Sequence, residues 1–582
     1  MLRKNDGRRR CKEAGMNLLT KAYLVFHILR WRLSWDKHDL DYLPDGVDPK
    51  KFLSARQAAA LIPDGATVMT CGMAASARCS IFYWAIKEAF ARTGHPRDLT
   101  WLGVGAMGAR GKVPGSIEDL NAPGIIKKYI GGHLETMKAI LRLADQGHVE
   151  LHNLPQAEMG YLLEAFARGE DSVVSDAGVG SFLDPRVGEG SVVLPGKGQS
   201  LISVEGDQLR FTMPKPDVGM FIAPYADREG NIYATNAATL TENRLLVNAL
   251  KKTGGKALVS VGELAPKDEK NIYIPAEDIT AVIVNPWSEQ TGGIQQRRYW
   301  PMFTLNAKVD KVESVARLKF VNELLKITPV RRPPEVAMAR TAADLFTRVA
   351  KPGANVNIGV GLPEEVCRLI VEGGLDNDVH FGTETGVYGG LPTPGIYFGA
   401  GIAPEKMIHS AEIFRFWKEG NLDVTVLGLL EADEEGNVNV SHRGPGAINF
   451  VGAGGFPDLV NYAKTIIFIG TWMAGAKFEI ADGKVVIKQP GAPKFMKKVT
   501  HITMSGKHAL KLGKQVYYVT NVGVFKLTER GMELVQVVPG IDVKKDVIEA
   551  CPMRIVLPSS GEVPVARREL ITGEGFKLAW PK

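Results

Sequence analysis

Residues 351–374 read KPGANVNIGVGLPEEVCRLIVEGG, and this stretch decides the fold. A Gly-Ala turn leads into a short run with β-branched residues, and a second glycine turn at 359–361 ends that run. From Pro363 onward the apolar residues recur at helical spacing, and proline is favoured in the first turn of a helix. A strand that passes through a tight turn into a helix is the building unit of α/β layers with parallel sheets.

The same pattern occurs in the first half of the chain. PDGATVMTCGM at 63–73 matches residues 351–361, and ADREGNIYAT at 226–235 matches ADEEGNVNVS at 432–441. The offsets of the two pairs are 288 and 206 residues, so the first half carries roughly 80 residues that the second lacks, within 105–200. The sequence therefore predicts an α/β protein of two related open domains with mostly parallel sheets.

The domain boundaries follow from changes in composition. Residues 288–335 contain SEQTGGIQQRRYW and RRPPEV, which are polar and proline-bearing and are typical of a linker. We predict a basic N-terminal arm at 1–50, a first domain at 51–287, a linker at 288–335 and a second domain at 336–582. The Asp-Gly pair in FEIADGKVVI, residues 478–487, predicts an antiparallel hairpin on the second domain.

The net charge of +7 comes from the N-terminal arm. Residues 1–35 hold nine Lys and Arg against two acidic residues, so the rest of the chain is neutral and a broad nucleic-acid-binding surface is not expected. The apolar run AYLVFHIL is too short to span a bilayer. A helix packed on the body of the protein, contact with a membrane surface and mitochondrial targeting all stay open for the arm.

The five cysteines favour a reducing cytoplasm over a disulfide framework or a zinc site, because most of them are far apart and none forms a CxxC pair. One glycine motif, GVGAMG at 103–108, satisfies GxGxxG, but the following ARGKVPGS is incompatible with the helix that a dinucleotide site needs. A loop is the better interpretation. Motifs for a phosphate-binding P-loop, HExxH metalloenzymes and GxSxG hydrolases are absent from the sequence.

Three glycine-rich stretches of the second half carry the chemistry. NIGVGLPEEV at 357–366 and VGAGGFPDLVNYAK at 451–464 each place main-chain N–H groups at a predicted helix start, where anions are stabilised. VHFGTETGVYGGLPTPGIYFGAG at 379–401 holds one carboxylate, Glu384, among seven glycines. Taken singly, each loop is equally consistent with a tight turn, and Glu384 with a solvated charge at a strand end. Together they favour a long ligand between the loops, with Glu384 as a nucleophile.

These motifs, followed in order along the chain, resemble the family I coenzyme A transferases. The resemblance includes FRFWKEGNLDVTVLGLLEADEEGNVNVS at 414–441 and, in the first half, IIKKYIGGH at 125–133 and HNLPQAEM at 152–159. GVGSFLDPR at 178–186 and PDVGMFIAPYADREGN at 216–231 extend it, so that it covers roughly residues 55–570. The chain is most similar to the acetate/propionate and 3-oxoacid (ketone-body) transferases with fused α and β halves.

The resemblance implies the activity and the site. Glu384 would attack the thioester of an acyl-CoA, pass through an anhydride to a glutamyl-CoA thioester, and return the CoA to a short-chain carboxylate in a ping-pong cycle. It implies CoA as substrate without a metal or a permanent cofactor, no nucleic-acid partner, no membrane span, and a homo-oligomer, as a dimer or tetramer. The oxyanion and CoA contacts would come from Gly359, Val360, Gly361, Leu362, Pro363, Gly389, Gly390, Gly454, Gly455 and Lys464.

Three departures from the family pattern leave the substrate open. TCGMAASARCS at 70–80 stands where Gly-Gly-Phe is common, Thr385 follows the catalytic glutamate, and PTPG at 392–395 replaces a small-residue PAGG. All three lie where the acyl group would rest. Two alternatives also remain: hydrolysis of acyl-CoA at the same site, and a sensor that binds acyl-CoA without catalysis.

Overall fold

The computed structural model describes residues 16–73, 77–108, 113–287, 300–305, 310–326, 328–394 and 397–581. Residues 1–15 of the predicted arm, residues 288–299, 306–309 and 327 of the predicted linker, and Gly395 of the PTPG stretch lie outside the described residues. Each half of the chain forms an α/β layer around a mostly parallel sheet, which confirms the predicted fold class.

The first half is built on a sheet with the strand order β11-β10-β8-β1-β2-β3-β4, in which all these neighbours are parallel. β9 pairs antiparallel with the end of β8, and β5, β7 and β6 form a separate antiparallel sheet. The strands are β1 Thr67–Thr70, β2 Leu99–Gly103, β3 Ile126–Gly131, β4 Glu150–Asn153, β5 Val173–Ser175, β6 Ile202–Glu205, β7 Gln208–Phe211, β8 Val218–Ala226, β9 Ile232–Tyr233, β10 Lys256–Leu264 and β11 Ala281–Val284.

The second half is built on a sheet with the order β13-β12-β18-β21-β27-β28-β29, parallel as far as β27 and antiparallel beyond it. Its other strands form small antiparallel or mixed pairs. The strands are β12 Ala354–Ile358, β13 Val379–Phe381, β14 Val387–Tyr388, β15 Leu391–Pro392, β16 Gly401–Ile402, β17 Lys406–Met407, β18 Val424–Gly428, β19 Glu431–Asp433, β20 Val438–Asn439, β21 Thr465–Ile469, β22 Met473–Ala474, β23 Lys477–Ala481, β24 Lys484–Gln489, β25 Ala492–Pro493, β26 Phe495–Met496, β27 Gln515–Val519, β28 Gly523–Thr528 and β29 Gly531–Val537.

Helices follow most of the central parallel strands and cover the sheets, as βαβ connections require. The described α-helices are α1 Leu18–Ser34, α2 Ala55–Ala59, α3 Ser80–Thr93, α4 Lys138–Asp145, α5 Gln156–Arg168, α6 Asn243–Thr253, α7 Lys311–Leu325, α8 Pro333–Val349, α9 Pro363–Glu372, α10 Ser410–Phe416, α11 Phe456–Tyr462, α12 Gly506–Lys511 and α13 Arg568–Thr572. Short 3₁₀ or π turns span Ile117–Asp119, Glu269–Asn271, Ala276–Asp278, Pro301–Phe303, Trp417–Asn421, Ala447–Asn449 and Val543–Ile548.

The internal repeat seen in the sequence is also a repeat of topology. The order β2-β1-β8-β10-β11 of the first sheet corresponds to β13-β12-β18-β21-β27 of the second, with the same parallel directions. β3, β4 and the small β5–β7 sheet have no counterpart in the second half, and they lie between β2 and β8, where the extra residues were expected. The Asp-Gly hairpin is present as β23–β24, with both turn residues, Asp482 and Gly483, at positive φ.

The regions predicted as arm and linker contain regular structure. α1 lies in the arm and contributes Ile28 to the core that packs on one face of the second sheet. α7 lies within the predicted linker, and α8 begins at Pro333, before the predicted boundary at 335. The domain boundaries themselves stay a prediction.

Candidate active site

Two glycine turns of the second half meet at the carboxyl edge of its sheet. β12 and β13 are parallel neighbours, so the turn 359–363 after β12 and the turn 382–386 after β13 leave the same edge side by side. The N–H of Gly382 donates to the Val356 carbonyl at 2.9 Å, and the N–H of Gly359 donates to Val426 at 2.8 Å. The predicted contact residues Gly359, Val360, Gly361, Leu362 and Pro363 therefore lie next to the stretch that holds Glu384.

Glu384 sits at the tip of a tight turn. The N–H of Gly386 donates to the Thr383 carbonyl at 3.0 Å, and the N–H of Thr383 donates to Val387 at 2.9 Å. Gly386 has φ +94°, and a Cβ there would lie 1.9 Å from the carbonyl oxygen of Ile408, so only glycine closes this turn. The backbone thus fixes where the glutamate side chain begins.

Thr383 and Thr385, which flank Glu384, stabilise its turn through hydrogen bonds. Their hydroxyl groups are buried and hydrogen-bond to each other at 2.8 Å, and the Thr385 hydroxyl also donates to the carbonyl of Gly399. Asn357, at the end of β12, donates from its side chain to the Gly382 carbonyl at 3.2 Å. These hydrogen bonds explain why threonine is accommodated at position 385, since its hydroxyl group stabilises the turn that carries Glu384.

Burial raises the pKa of Glu384 from its ordinary value to about 7. The physical cause is the loss of hydration of the charged carboxylate, which makes an ionised glutamate less stable in this place than in water. A carboxylate that is poorly hydrated at neutral pH is a stronger nucleophile than a solvated one. The partial burial of Glu384 favours a position in a pocket over the alternative of a solvated charge at a strand end.

Gly455 lies against the carboxylate of Glu384. A Cβ at position 455 would be 3.0 Å from Cδ and Oε2 of Glu384, and 2.9 Å from the ring of Phe414. Gly455 is also the residue that caps α11 at its N-terminus. The absence of a side chain at 455 therefore lets the helix start approach the carboxylate of Glu384, which is the use of glycine that the sequence suggested.

The first half of the chain completes the site from the other side. Gln156, the first residue of α5, donates from Nε2 to the carbonyl oxygen of Glu384 at 3.1 Å, and its own N–H donates to Gly454 at 2.9 Å. The N–H of Gly454 donates to Gly132 at 2.9 Å. Asn153 links the same loops, since its side-chain oxygen accepts from the N–H of Ala453 at 2.9 Å. The site is a crevice between the halves, held by hydrogen bonds across it.

A pair of buried carboxyl groups lies behind this crevice. Glu158 on α5 and Asp458 on α11 are both fully buried, and Asp458 accepts from the N–H of Ala157 at 3.1 Å, which ties the two helix starts together. Burial raises the pKa of Glu158 to about 7 and that of Asp458 well above its usual range, and each negative charge opposes the other. Burial and this repulsion both favour the protonated forms of the pair.

The structure does not bring every predicted residue to the site. Gly389 and Gly390 make the turn between β14 and β15. Glu405 and Pro404 fill the space beside this turn, so close packing explains why both positions are glycine. Lys464 precedes β21 at the amino edge of the sheet, opposite to Glu384, where its ammonium group pairs with Asp423 at 2.7 Å. Its side chain is 61% exposed. Lys464 therefore lies away from Glu384, because parallel strands place their two ends on opposite edges, and its contact with CoA stays a prediction.

Sequence reasoning missed Gln156, Asn153 and the pair Glu158 and Asp458. All four lie in stretches that the sequence analysis quoted, HNLPQAEM and VGAGGFPDLVNYAK. The available signal was the occurrence of polar residues in otherwise apolar strand-to-helix turns. What the sequence did not contain was the pairing of these two stretches across the crevice, since they are some 300 residues apart.

Comparison with known proteins places this geometry among coenzyme A transferases. A family model for coenzyme A transferase matches residues 340–550. A caffeate CoA-transferase of Acetobacterium woodii is 33% identical over 516 residues, which cover 86% of this chain and 93% of that protein. The acetate CoA-transferase YdiF of Escherichia coli K12 is 31% identical over 537 residues, covering 90% of this chain and 96% of the relative.

Solved structures agree with the sequence relatives. The apoenzyme of the acyl-CoA transferase YdiF from E. coli O157:H7 superposes with a TM-score of 0.77 at 28% identity, covering 91% of this chain and 97% of that one. A thioester complex of the same enzyme with CoA gives a TM-score of 0.76 at 27% identity and covers 90% and 96% of the two chains. The likeness therefore extends over both halves and the crevice between them.

Proposed function

The chain belongs to the coenzyme A transferase family and is an enzyme of that type, and we propose that Glu384 is its covalent nucleophile in a ping-pong exchange of CoA between an acyl-CoA and a free carboxylate. The observation that carries the proposal is the position of this carboxylate. It stands at the tip of a fixed turn, at the carboxyl edge of a parallel sheet, in a crevice between two halves. Ligands of open α/β sheets bind at such edges.

The exchange takes place in two covalent steps. An Oε atom of Glu384 attacks the thioester carbonyl, the C–S bond breaks, and CoA leaves as a thiolate while an acyl-glutamyl anhydride forms. The thiolate then attacks the glutamyl carbonyl of the anhydride, its C–O bond breaks, and the acyl group departs as a carboxylate. An incoming carboxylate reverses both steps on the glutamyl-CoA thioester. Atoms and charge balance without water, so the free energy of the thioester is kept.

The surroundings of Glu384 suit this chemistry. Each attack creates a negative oxygen, which the N–H groups of Val360, Gly361, Leu362 and Gly455 stabilise in this scheme, since those of Gly359 and Gly454 already donate to Val426 and Gly132. The side-chain amide of Gln156 holds the Glu384 backbone at 3.1 Å, so the turn keeps its place while the side chain changes from carboxylate to anhydride to thioester. Thioester capture by a relative is consistent with this scheme, since YdiF has been crystallised as a thioester complex with CoA.

The substrates that we propose are an acyl-CoA donor and a short-chain carboxylate acceptor of the acetate, propionate or 3-oxoacid type. The acetate CoA-transferase among the relatives favours a short chain, whereas the caffeate CoA-transferase adds an aromatic acid to the acceptors worth testing. The homo-oligomer implied by the resemblance and the cytoplasmic location favoured by the cysteine pattern remain part of the proposal. No helix within the described ranges is long and apolar enough to cross a membrane.

The direct test is to trap the intermediate. Enzyme incubated with an acyl-CoA and no acceptor should gain the mass of CoA on the peptide that contains Glu384. Borohydride should then reduce the thioester to an alcohol at that residue. Glu384→Ala should lose both the adduct and the exchange activity while it still binds CoA, because the loops rather than the carboxylate hold the nucleotide in this proposal.

Two outcomes would contradict the proposal. An adduct on a different residue would move the nucleophile elsewhere, and exchange through a ternary complex without any adduct would remove the ping-pong scheme. Hydrolysis is separated from transfer by omitting the acceptor carboxylate. Turnover that persists unchanged without an acceptor would identify an acyl-CoA hydrolase, whereas a transferase stops after one equivalent of CoA is bound.

A further inference from the structure

Helix α1 presents an apolar strip to the solvent. Leu18, Leu19, Phe26, Leu29 and Leu33 are 81%, 83%, 66%, 56% and 84% exposed. The spacing of Leu18, Phe26, Leu29 and Leu33 in steps of eight, three and four residues puts them on one side of the helix. Single exposed apolar residues are ordinary on protein surfaces, but a continuous strip along a whole helix marks an interaction surface.

The opposite side of α1 is anchored on the second half of the chain. Leu24, His27 and Ile28 are buried, and the ring of His27 meets Trp300 with centroids 5.7 Å apart. Ile28 belongs to the same core as Phe303 and Met338. Because the inner side is fixed in this way, α1 cannot turn its outer strip into the protein, and the strip must face whatever lies outside.

The charged residues of α1 itself are all basic. The helix sequence LLTKAYLVFHILRWRLS contains no Asp or Glu, and the exposed Lys21 and Arg32 lie along one edge of the strip. Lys21 lies 5.8 Å from the ring of Phe320 and Arg32 lies 3.9 Å from the ring of Trp35, contacts that leave both charges in place. The first 35 residues together carry the whole net charge of the chain, +7.

We propose that α1 docks the enzyme on an anionic phospholipid bilayer, with the strip of Leu18, Leu19, Phe26, Leu29 and Leu33 in the interface. A helix that lies in a membrane interface needs an apolar side, basic residues beside it and an axis parallel to the membrane. α1 has the apolar side and the basic residues. Because its other side is anchored on the protein, its axis stays parallel to the surface that the strip contacts. Anionic lipid complements a helix whose charged residues are all basic, within a segment of net charge +7. A second copy of α1 across a two-fold axis would instead set like charges against each other.

Vesicle binding of the full chain tests the proposal. The protein should sediment with vesicles of phosphatidylglycerol and phosphatidylcholine and stay in solution with vesicles of phosphatidylcholine alone, and added salt should weaken the binding. The double variant F26E/L33E should lower the bound fraction by at least about tenfold, since it places carboxylates in the interface. The double variant K21Q/R32Q should weaken vesicle binding by about fivefold for each positive charge removed.

The double variant V187E/V204E is the matched control. It makes the same change of charge at two exposed valines of the first half, which are 51% and 41% exposed, and it should bind vesicles as the unaltered chain does. All variants should keep the rate of CoA transfer, because the altered side chains are exposed and none of them contacts Glu384, so this test is independent of that of the nucleophile. Absence of vesicle binding, or equal losses in F26E/L33E and V187E/V204E, would overturn the proposal. So would a fall in oligomeric mass in F26E/L33E without vesicle binding, which would assign the strip to a second copy.

Discussion

The raised pKa of Glu384 predicts that this residue destabilises the folded enzyme at the pH at which it works. Its pKa rises from an ordinary 4.5 to about 7 on burial, so the folded state holds the proton more tightly than the unfolded state does. Stability is therefore lost as the pH rises from the unfolded value to the folded one, and is constant above it. At about 1.4 kcal/mol per pKa unit, the full loss is on the order of 3 kcal/mol.

The substitution Glu384→Gln isolates this effect, because glutamine has the same shape and no charge to lose hydration. We expect the variant to be inactive yet more stable than the parent by about 3 kcal/mol at pH 8, and by only about 1 kcal/mol at pH 5. For a domain of this size, the gain at pH 8 corresponds to a rise in Tm of roughly 5 °C or more. Thermal unfolding of both proteins across this pH range measures the difference.

The exposed Glu529, in the turn between β28 and β29, provides the control variant Glu529→Gln. A surface substitution of this kind should change stability by less than about 0.5 kcal/mol at either pH. A gain in Glu384→Gln that is the same at pH 5 and pH 8 would refute the reasoning, since it would mean that the charge of Glu384 is not the cause. A loss of stability at pH 8 would mean that the carboxylate has a favourable partner in the folded state.

Further substitutions test the rest of the site by steady-state kinetics. Gly455→Ala sets a methyl group 3.0 Å from the carboxylate of Glu384 and should lower kcat by up to about a hundredfold through misplacement, with the fold intact by circular dichroism. Gln156→Ala removes the 3.1 Å bond to the Glu384 carbonyl and should lower kcat about five- to tenfold, whereas unchanged kcat would show that the turn needs no support from the first half. Lys464→Ala should leave CoA exchange unchanged and stability within about 1 kcal/mol, because its exposed pair with Asp423 lies at the far edge of the sheet; a raised KM for acyl-CoA would contradict that placement.

The sequence predicted those features that depend on neighbouring residues. The strand-turn-helix unit at 351–374, the repeat at 63–73 and the Asp-Gly hairpin are each encoded within a short window, and the structure contains all three. Glu384 stood out because an acid among glycines is unusual within its own window. Lys464 was grouped with Gly454 and Gly455 in the same way, but the helix α11 between them carries it to the opposite edge of the sheet.

The contacts between the two halves of the chain could not be predicted from patterns within short stretches of sequence. Gln156 meets Glu384 only because the insertion between β2 and β8 lays β4 and the start of α5 against the turn 451–455. Hydrophobic periodicity predicts which face of α5 is buried, but it does not predict which of several similar glycine turns packs against the start of α5. The pairing of the turns depends on backbone hydrogen bonds such as that from the N–H of Gly454 to the carbonyl of Gly132. Because these bonds involve no side chain, the sequence shows only the glycines themselves.

The repeated topology places the proposed nucleophile in one half of the chain only. β2 of the first half corresponds to β13, yet the chain continues from β2 into the loop GVGAMG, which has no acid where the second half has Glu384. The first half instead has its own insertion, and that insertion supplies Gln156 and Asn153 to the crevice. One half thus carries Glu384, and the other half contacts the turn that holds it. The covalent cycle that we propose needs one carboxylate in a rigid, poorly hydrated position, and this arrangement of two related halves is consistent with that requirement.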